Sequence, residues 1–183
     1  MDVQQELTKY ISKALGNDLP KKTEFKTRFH LLDTLVSILT GRLLPPGKKA
    51  FQFSKTQGGV KESTLLGSDI KVSAINAGFS NGMAAHANET DDSTTEGRFH
   101  PGCAIVPVTL AVAERENLSS KEIIKAIALG YDVGVRITTS LGYKTPKTSI
   151  FATHSIGPIF GCAASAGALP VSYTHLRAHE TTV

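Results

Sequence analysis

At 183 residues, with 40% hydrophobic and 20% charged residues, the chain is large enough for one globular domain with a real core. The net charge of +4 is dispersed along the sequence. Lys21 with Lys22 and Lys48 with Lys49 form only short pairs without interleaved aromatics, which argues against a nucleic-acid partner.

The opening MDVQQELTKY lacks the apolar core of a signal peptide, and no run reaches the ~18 apolar residues of a membrane span. The expected setting is therefore the cytoplasm, with no membrane partner. Leu7, Ile11 and Leu15 predict a first helix over residues 3 to 15, capped by Gly16 and Asn17 and stopped by Pro20. A second helix is predicted from Lys21 to Leu43, where Phe25, Phe29, Leu32, Val36 and Leu39 form one apolar stripe. His30 and Asp33 lie beside that stripe and read as solvated or capping groups. Leu44-Pro45-Pro46-Gly47 breaks the helix, and Pro46 opens a short third one through Lys55. Gln57-Gly58-Gly59 is a turn, and Ser63 to Leu66, closed by Gly67, is one short extended segment. No series of alternating strands follows, so the fold class is all-α.

Residues 71 to 87 predict another helix, with Val72, Ile75, Phe79, Met83 and His86 along one stripe. His86 reads either as a hydrogen-bonded core histidine or as the first group of a site. From Asn81 to Gly102 the chain runs NGMAAHANETDDSTTEGRFHPG, which concentrates His86, Glu89, Asp91, Asp92, Ser93 and His100. A polar loop held between core helices is where a rigid scaffold presents chemistry. Pro101 makes His100 extended and opens the next helix, Cys103 to Glu114. His100 then sits at a helix N-terminus, whose amide N–H groups and dipole attract anions. Cys103 and Cys162 are far apart in apolar surroundings and read as free thiols of a reducing compartment. Ser119 and Glu122 fit a capping box, followed by a helix to Ser140 with Ile124, Ile127, Tyr131 and Val135 along its buried stripe. Gly130 inside it suggests close helix approach. Leu141 to Ser149 is a loop, and Ser155 to Leu169 a small-residue helix with His154 at its entrance, either capping it or facing the site.

NGMAAHANETDD (81 to 92), HPG (100 to 102), AIVPVTLAVAE (104 to 114) and ALGYDVGVRI (128 to 137) resemble the MmgE/PrpD family, with support from LLDTLVSILTG (31 to 41). The resemblance covers residues 4 to 169. It implies a helical N-terminal domain, here truncated and lacking the α+β lid domain of the family. It also implies a homodimer in the full-length parent, and an active site that takes small di- and tricarboxylates without metal or organic cofactor. Residues 1 to 169 are thus expected to be a partial helical domain. Pro170 to Val183 resembles translated sequencing-adapter read-through, known from assembled metagenomic frames, and is expected to be non-native.

The resemblance assigns His100, Asp91 and Glu89 as catalytic and Ser93, His86, Asp92 and His154 as substrate-binding. Glu89 stands at a family aspartate position and Ser93 at a family threonine. A second family histidine falls near Phe151, with His154 three residues on. The implied reaction abstracts a proton alpha to a carboxylate and then loses water or carbon dioxide, and this fragment alone is expected to be inactive. Only one of Asp91 and Asp92 is expected to face the site, the other capping or pairing with a base such as Arg98. Competing readings are an epimerase of the same family, a transition-metal site from His86, Asp91, Asp92 and His100, and a non-catalytic helical interaction module.

Overall fold

A computed structural model describes residues 2–142 and 152–174. Asp2 accepts the Gln4 N–H and starts α1 (Val3–Gly16), and Pro20 precedes α2 (Lys21–Gly41). Pro45 and Pro46 fill the first turn of α3 (Pro45–Thr56), where a missing N–H costs nothing. After left-handed Gly58 and Gly59, β1 (Ser63–Thr64) pairs antiparallel with β2 (Lys71–Val72). Four helices complete the described chain: α4 (Ala74–Ala85), α5 (Gly102–Arg115), α6 (Ser120–Ser140) and α7 (Thr153–Thr174). Among the described residues the only sheet is this two-stranded ribbon, so the chain is all-α as expected. None of these helices is long and apolar enough to cross a membrane.

Two of the expected boundaries move by three residues or more. Val72 belongs to β2 because Ser73, not an earlier residue, caps α4 by accepting the Asn76 N–H. α7 runs to Thr174, past Leu169. The capping box at Ser119 and Glu122 forms as read, with both reciprocal bonds present. Most of the expected loop Leu141 to Ser149, and Phe151, lie outside the described residues.

The tightest packing joins α6 to α7. A Cβ on Gly130 would stand 2.9 Å from the Gly161 carbonyl oxygen, and one on Gly161 would stand 2.7 Å from that of Gly130. Only residues without a side chain let the two backbones touch there. Leu129 and Val133 pack with Ala164 and Ala168, and Leu7 and Ile11 of α1 close over them. α5 lies between α4 and α7 and buries Ile105, Val106 and Ala111.

The apolar stripe of α2 does not face this core. Phe25, Phe29, Leu32, Val36 and Leu39 are exposed, from 62% at Phe25 to 48% at Leu39. The buried face of α2 is Thr27, Thr34, Ser37, Ile38 and Gly41. The Thr27 and Thr34 hydroxyls donate to the Thr23 and His30 carbonyls, each at 2.9 Å, so their burial leaves no polar group unsatisfied. These small residues let α2 approach α4, where Gly41 lies against the backbone of Ala84. The same inversion holds in α4. Ile75, Phe79 and Met83 point outward, while Ala77, Gly78, Ala84 and Ala85 are buried. Small residues win the interior because close helix approach gains more contact than a bulky stripe held at a distance.

Candidate active site

The site forms where α4 ends. His86 occupies the C-cap position of α4, and Glu89, at φ 53°, turns the chain left-handed just beyond it. The chain then drives Asp91 inward. Thr94 and Phe99 close a small hairpin by an isolated bridge, in which Thr94 N–H donates to the Phe99 carbonyl at 3.0 Å. Phe99 is thereby sunk into the core and His100 is set beside Asp91. The Thr153 hydroxyl donates to the Arg98 carbonyl and ties the start of α7 to this hairpin.

Asp91 is the centre of the arrangement. Its side chain is fully buried, with Oδ1 3.0 Å from His86 Nδ1 and Oδ2 3.5 Å from His100 Nδ1. The second distance is too long for a hydrogen bond, so Asp91 Oδ2 and His100 Nδ1 are both buried without a partner. A buried carboxylate between two imidazoles holds them in orientation. His100 Nδ1 faces the carboxylate, which leaves Nε2 as the nitrogen for a ligand. The ring of His100 lies 4.9 Å from that of His86 and 5.8 Å from that of His154, measured between centroids. Three imidazoles in a row present donors suited to a carboxylate. His154 belongs to this row and sits in the first turn of α7.

Asp92 turns the other way. Its Oδ1 accepts the Gly102 N–H at 2.9 Å, and its Oδ2 lies 2.6 Å from His30 Nδ1 and accepts from Tyr131 OH at 2.8 Å. Asp92 is therefore the capping member of the pair, and the basic group found on it is His30, where Arg98 was expected. This also corrects the expectation of an open anion site at the α5 N-terminus: Asp92 is itself the anion there. A Cβ on Gly102 would meet Thr34 Oγ1 and Asp92 Oδ1, so this position admits glycine alone. A cleft of about 590 Å³ opens on the His30 and Tyr131 side, lined also by Lys22, Lys26 and Asp132. His86, His100 and His154 lie outside that cleft, with His86 and His154 exposed and His100 half-buried.

Glu89 and Ser93 are both exposed, and among the described residues no hydrogen bond or ion pair holds either side chain. They stand on the rim of the loop, not in the Asp91 cluster. The sequence reading set His30 among solvated or capping groups and Tyr131 on a buried stripe, with neither at the site. The available signal was polar: Thr27, His30, Thr34, Ser37 and Gly41 repeat at helical spacing opposite the apolar stripe. Cys103 also joins the cluster. Burial, with the Asp91 charge beside it, holds its thiol far above the ordinary range, so it stays protonated while no cation is beside it. His86, Asp91 and Cys103 bring donor atoms within 4.8 Å of one another.

The His30–Asp92 pair makes stability depend on pH. The bond to Asp92 raises His30 above its ordinary 6.5, against a smaller opposing effect of burial. Burial pushes Asp92 up from 3.8, but His30, Tyr131 and the Gly102 N–H together bring it lower. The His30 contribution is fully present below 6.5 and fades as pH rises through its raised value. The Asp92 contribution is present above 3.8 and lost as pH falls through the lowered one. Urea unfolding from pH 6 to 8 should therefore show falling stability, and His30→Gln should flatten that limb. An unchanged limb in His30→Gln would assign the loss elsewhere.

The MmgE/PrpD N-terminal domain model matches residues 5–172. Cis-aconitate decarboxylase of Homo sapiens is 33% identical over 108 residues, which is 58% of this chain and 22% of that enzyme. The chain thus matches less than a quarter of the length of that relative.

Proposed function

The chain belongs to the MmgE/PrpD family, and from that premise we propose that it is the N-terminal helical part of a lyase-type enzyme acting on small di- or tricarboxylates. The reaction we infer removes a proton alpha to a carboxylate, followed by loss of water or carbon dioxide. Epimerisation is the alternative fate of the same intermediate. The observation that carries this reading is the buried Asp91 carboxylate between His86 and His100, with His154 in line.

In this mechanism Asp91 orients His100, whose Nε2 takes up the alpha proton as general base and returns it as acid. Negative charge builds on the substrate carboxylate as the proton leaves. His86 and His154 flank the point where that charge develops and donate to it. Glu89 and Ser93, on the exposed rim, bind substrate polar groups. Asp92 acts indirectly, by fixing the first turn of α5 and hence His100. The imidazoles open to the surface, which suits closure by a further domain of the parent, and we propose that this chain alone is inactive.

The experiment is proton exchange. The full-length enzyme is incubated with small di- and tricarboxylates in D₂O, and deuterium entry at the alpha carbon and loss of water or carbon dioxide are followed by NMR. Neither exchange nor loss across that panel would overturn the reading.

We further propose that the full-length parent is a cytoplasmic homodimer built on the outward faces of α2 and α4. Phe25, Phe29, Leu32, Val36, Phe79 and Met83 expose an apolar surface there that a second copy would cover. Phe29→Asp with Val36→Asp should convert a dimer to a monomer in light scattering. A monomeric wild type at micromolar concentration would refute the dimer.

A further inference from the structure

We propose that His86, Asp91 and Cys103 form a binding site for a soft divalent cation, zinc(II) by its chemistry. An imidazole nitrogen, a carboxylate oxygen and a thiol sulfur from these residues all lie within 4.8 Å of one another. Tetrahedral zinc, with ligand bonds of about 2.0–2.3 Å, places its ligands about 3.3–3.8 Å apart. The cluster therefore closes on the ion by about 1 Å, a movement that side-chain rotation supplies. His86 is exposed at the end of α4, and Cys103 stands in the first turn of α5.

An independent observation points to the missing ligand. The Asp91 side chain is fully buried, and its Oδ2 makes no hydrogen bond, His100 Nδ1 standing off at 3.5 Å. A buried unsatisfied carboxylate oxygen is costly, and a cation removes that cost. Charge fits as well. The carboxylate and the thiolate bring two negative charges to a divalent ion, so the occupied site is neutral. On binding, the Cys103 sulfur–hydrogen bond breaks, its proton goes to solvent, and the sulfur electron pair forms the bond to the metal. Water fills the fourth position. Sulfur and nitrogen ligands with one carboxylate select zinc over magnesium and calcium, which require mostly oxygen.

The cation binding does not depend on the proposed catalysis. Its consequence does: an ion that engages His86 and Asp91 takes from His100 its orienting carboxylate, so zinc would inhibit the parent enzyme.

The test uses the 183-residue chain stripped with chelator and titrated with cobalt(II) and with zinc(II). One equivalent of cobalt should give a thiolate-to-metal charge-transfer absorption in the near ultraviolet, absent in Cys103→Ser. Zinc affinity by calorimetry should fall at least about 10-fold in both Cys103→Ser and His86→Ala, with magnesium inert at millimolar concentration. His86 is exposed, so His86→Ala decides if Cys103→Ser fails to fold. Binding without the charge-transfer band, binding unchanged in the variants that fold, or no saturable binding would each overturn the proposal.

Discussion

His100→Ala in the full-length enzyme should lower turnover by about 10²-fold or more, the usual cost of losing a general acid–base group. KM should move little, because the group acts on the proton in transit more than on the bound substrate. Two neighbours sharpen the expectation. Asp91→Asn keeps the size of the side chain but removes the charge that faces His100 Nδ1 at 3.5 Å. It should lower turnover as well, because His100 loses the group that orients it. His154→Ala, at the end of the imidazole row, should raise KM more than it lowers turnover, as the proposed donor to the substrate carboxylate. The measurement is deuterium entry at the alpha carbon under saturating substrate. Unchanged exchange in His100→Ala would take His100 out of the mechanism, whatever happens to KM.

Phe99→Ala should be the most destabilising single change in the loop. Phe99 is 1% exposed, and its ring fills the space left by three glycines. A Cβ on Gly97 or Gly157 would stand 2.7 Å from the ring, and one on Gly134 would stand 3.1 Å from it. The ring thus pins the hairpin to α6 and α7 at once. Truncating a buried Phe to Ala costs about 3–5 kcal/mol. At roughly 2–4 °C per kcal/mol for a chain of this size, Tm should fall by about 6–20 °C. Gly157→Ala should destabilise too, by about 1–3 kcal/mol, because the new methyl group strikes the ring. In the Phe99→Ala background that clash is gone, so adding Gly157→Ala should cost little or regain stability. Additive losses in the double variant, read by thermal and urea unfolding, would show that the ring and α7 do not meet.

Much of the architecture was legible before any coordinates. The capping box at Ser119 and Glu122, Pro46 in the first turn of α3, and the turn at Gly58 and Gly59 all follow from backbone sterics and local hydrogen bonding. Each involves residues a few positions apart. The loop from His86 to His100 was legible for a related reason. It gathers ionisable groups between two helices, and a scaffold holds such a loop at its surface. Gly130 also showed its purpose, since a glycine inside a strong helix is explained by a close neighbour, here Gly161.

The division of labour between Asp91 and Asp92 was not legible. Adjacent residues in an irregular loop face different ways, and the choice depends on what stands opposite. Asp91 meets His86 and His100, whereas Asp92 meets Gly102, Tyr131 and His30, which comes from a helix 62 residues earlier. No local rule reaches that far. Cys103 entered the cluster the same way, through the first turn of α5.

The sequence by itself determined where the helices lie and which loop gathers the ionisable groups, because hydrogen bonding and side-chain period act within a few residues. Which face of each helix points inward was decided only in the tertiary structure. In α2, Phe25, Phe29, Leu32, Val36 and Leu39 repeat at the helical period, but so do Thr27, His30, Thr34, Ser37 and Gly41 on the opposite face. Periodicity ranks the two stripes by hydrophobicity and turns the bulky one inward. Packing ranks them by how closely α2 can approach α4, and the small stripe wins, with its hydroxyls satisfied by its own helix. That outcome turns His30 toward Asp92 and leaves the bulky stripe exposed.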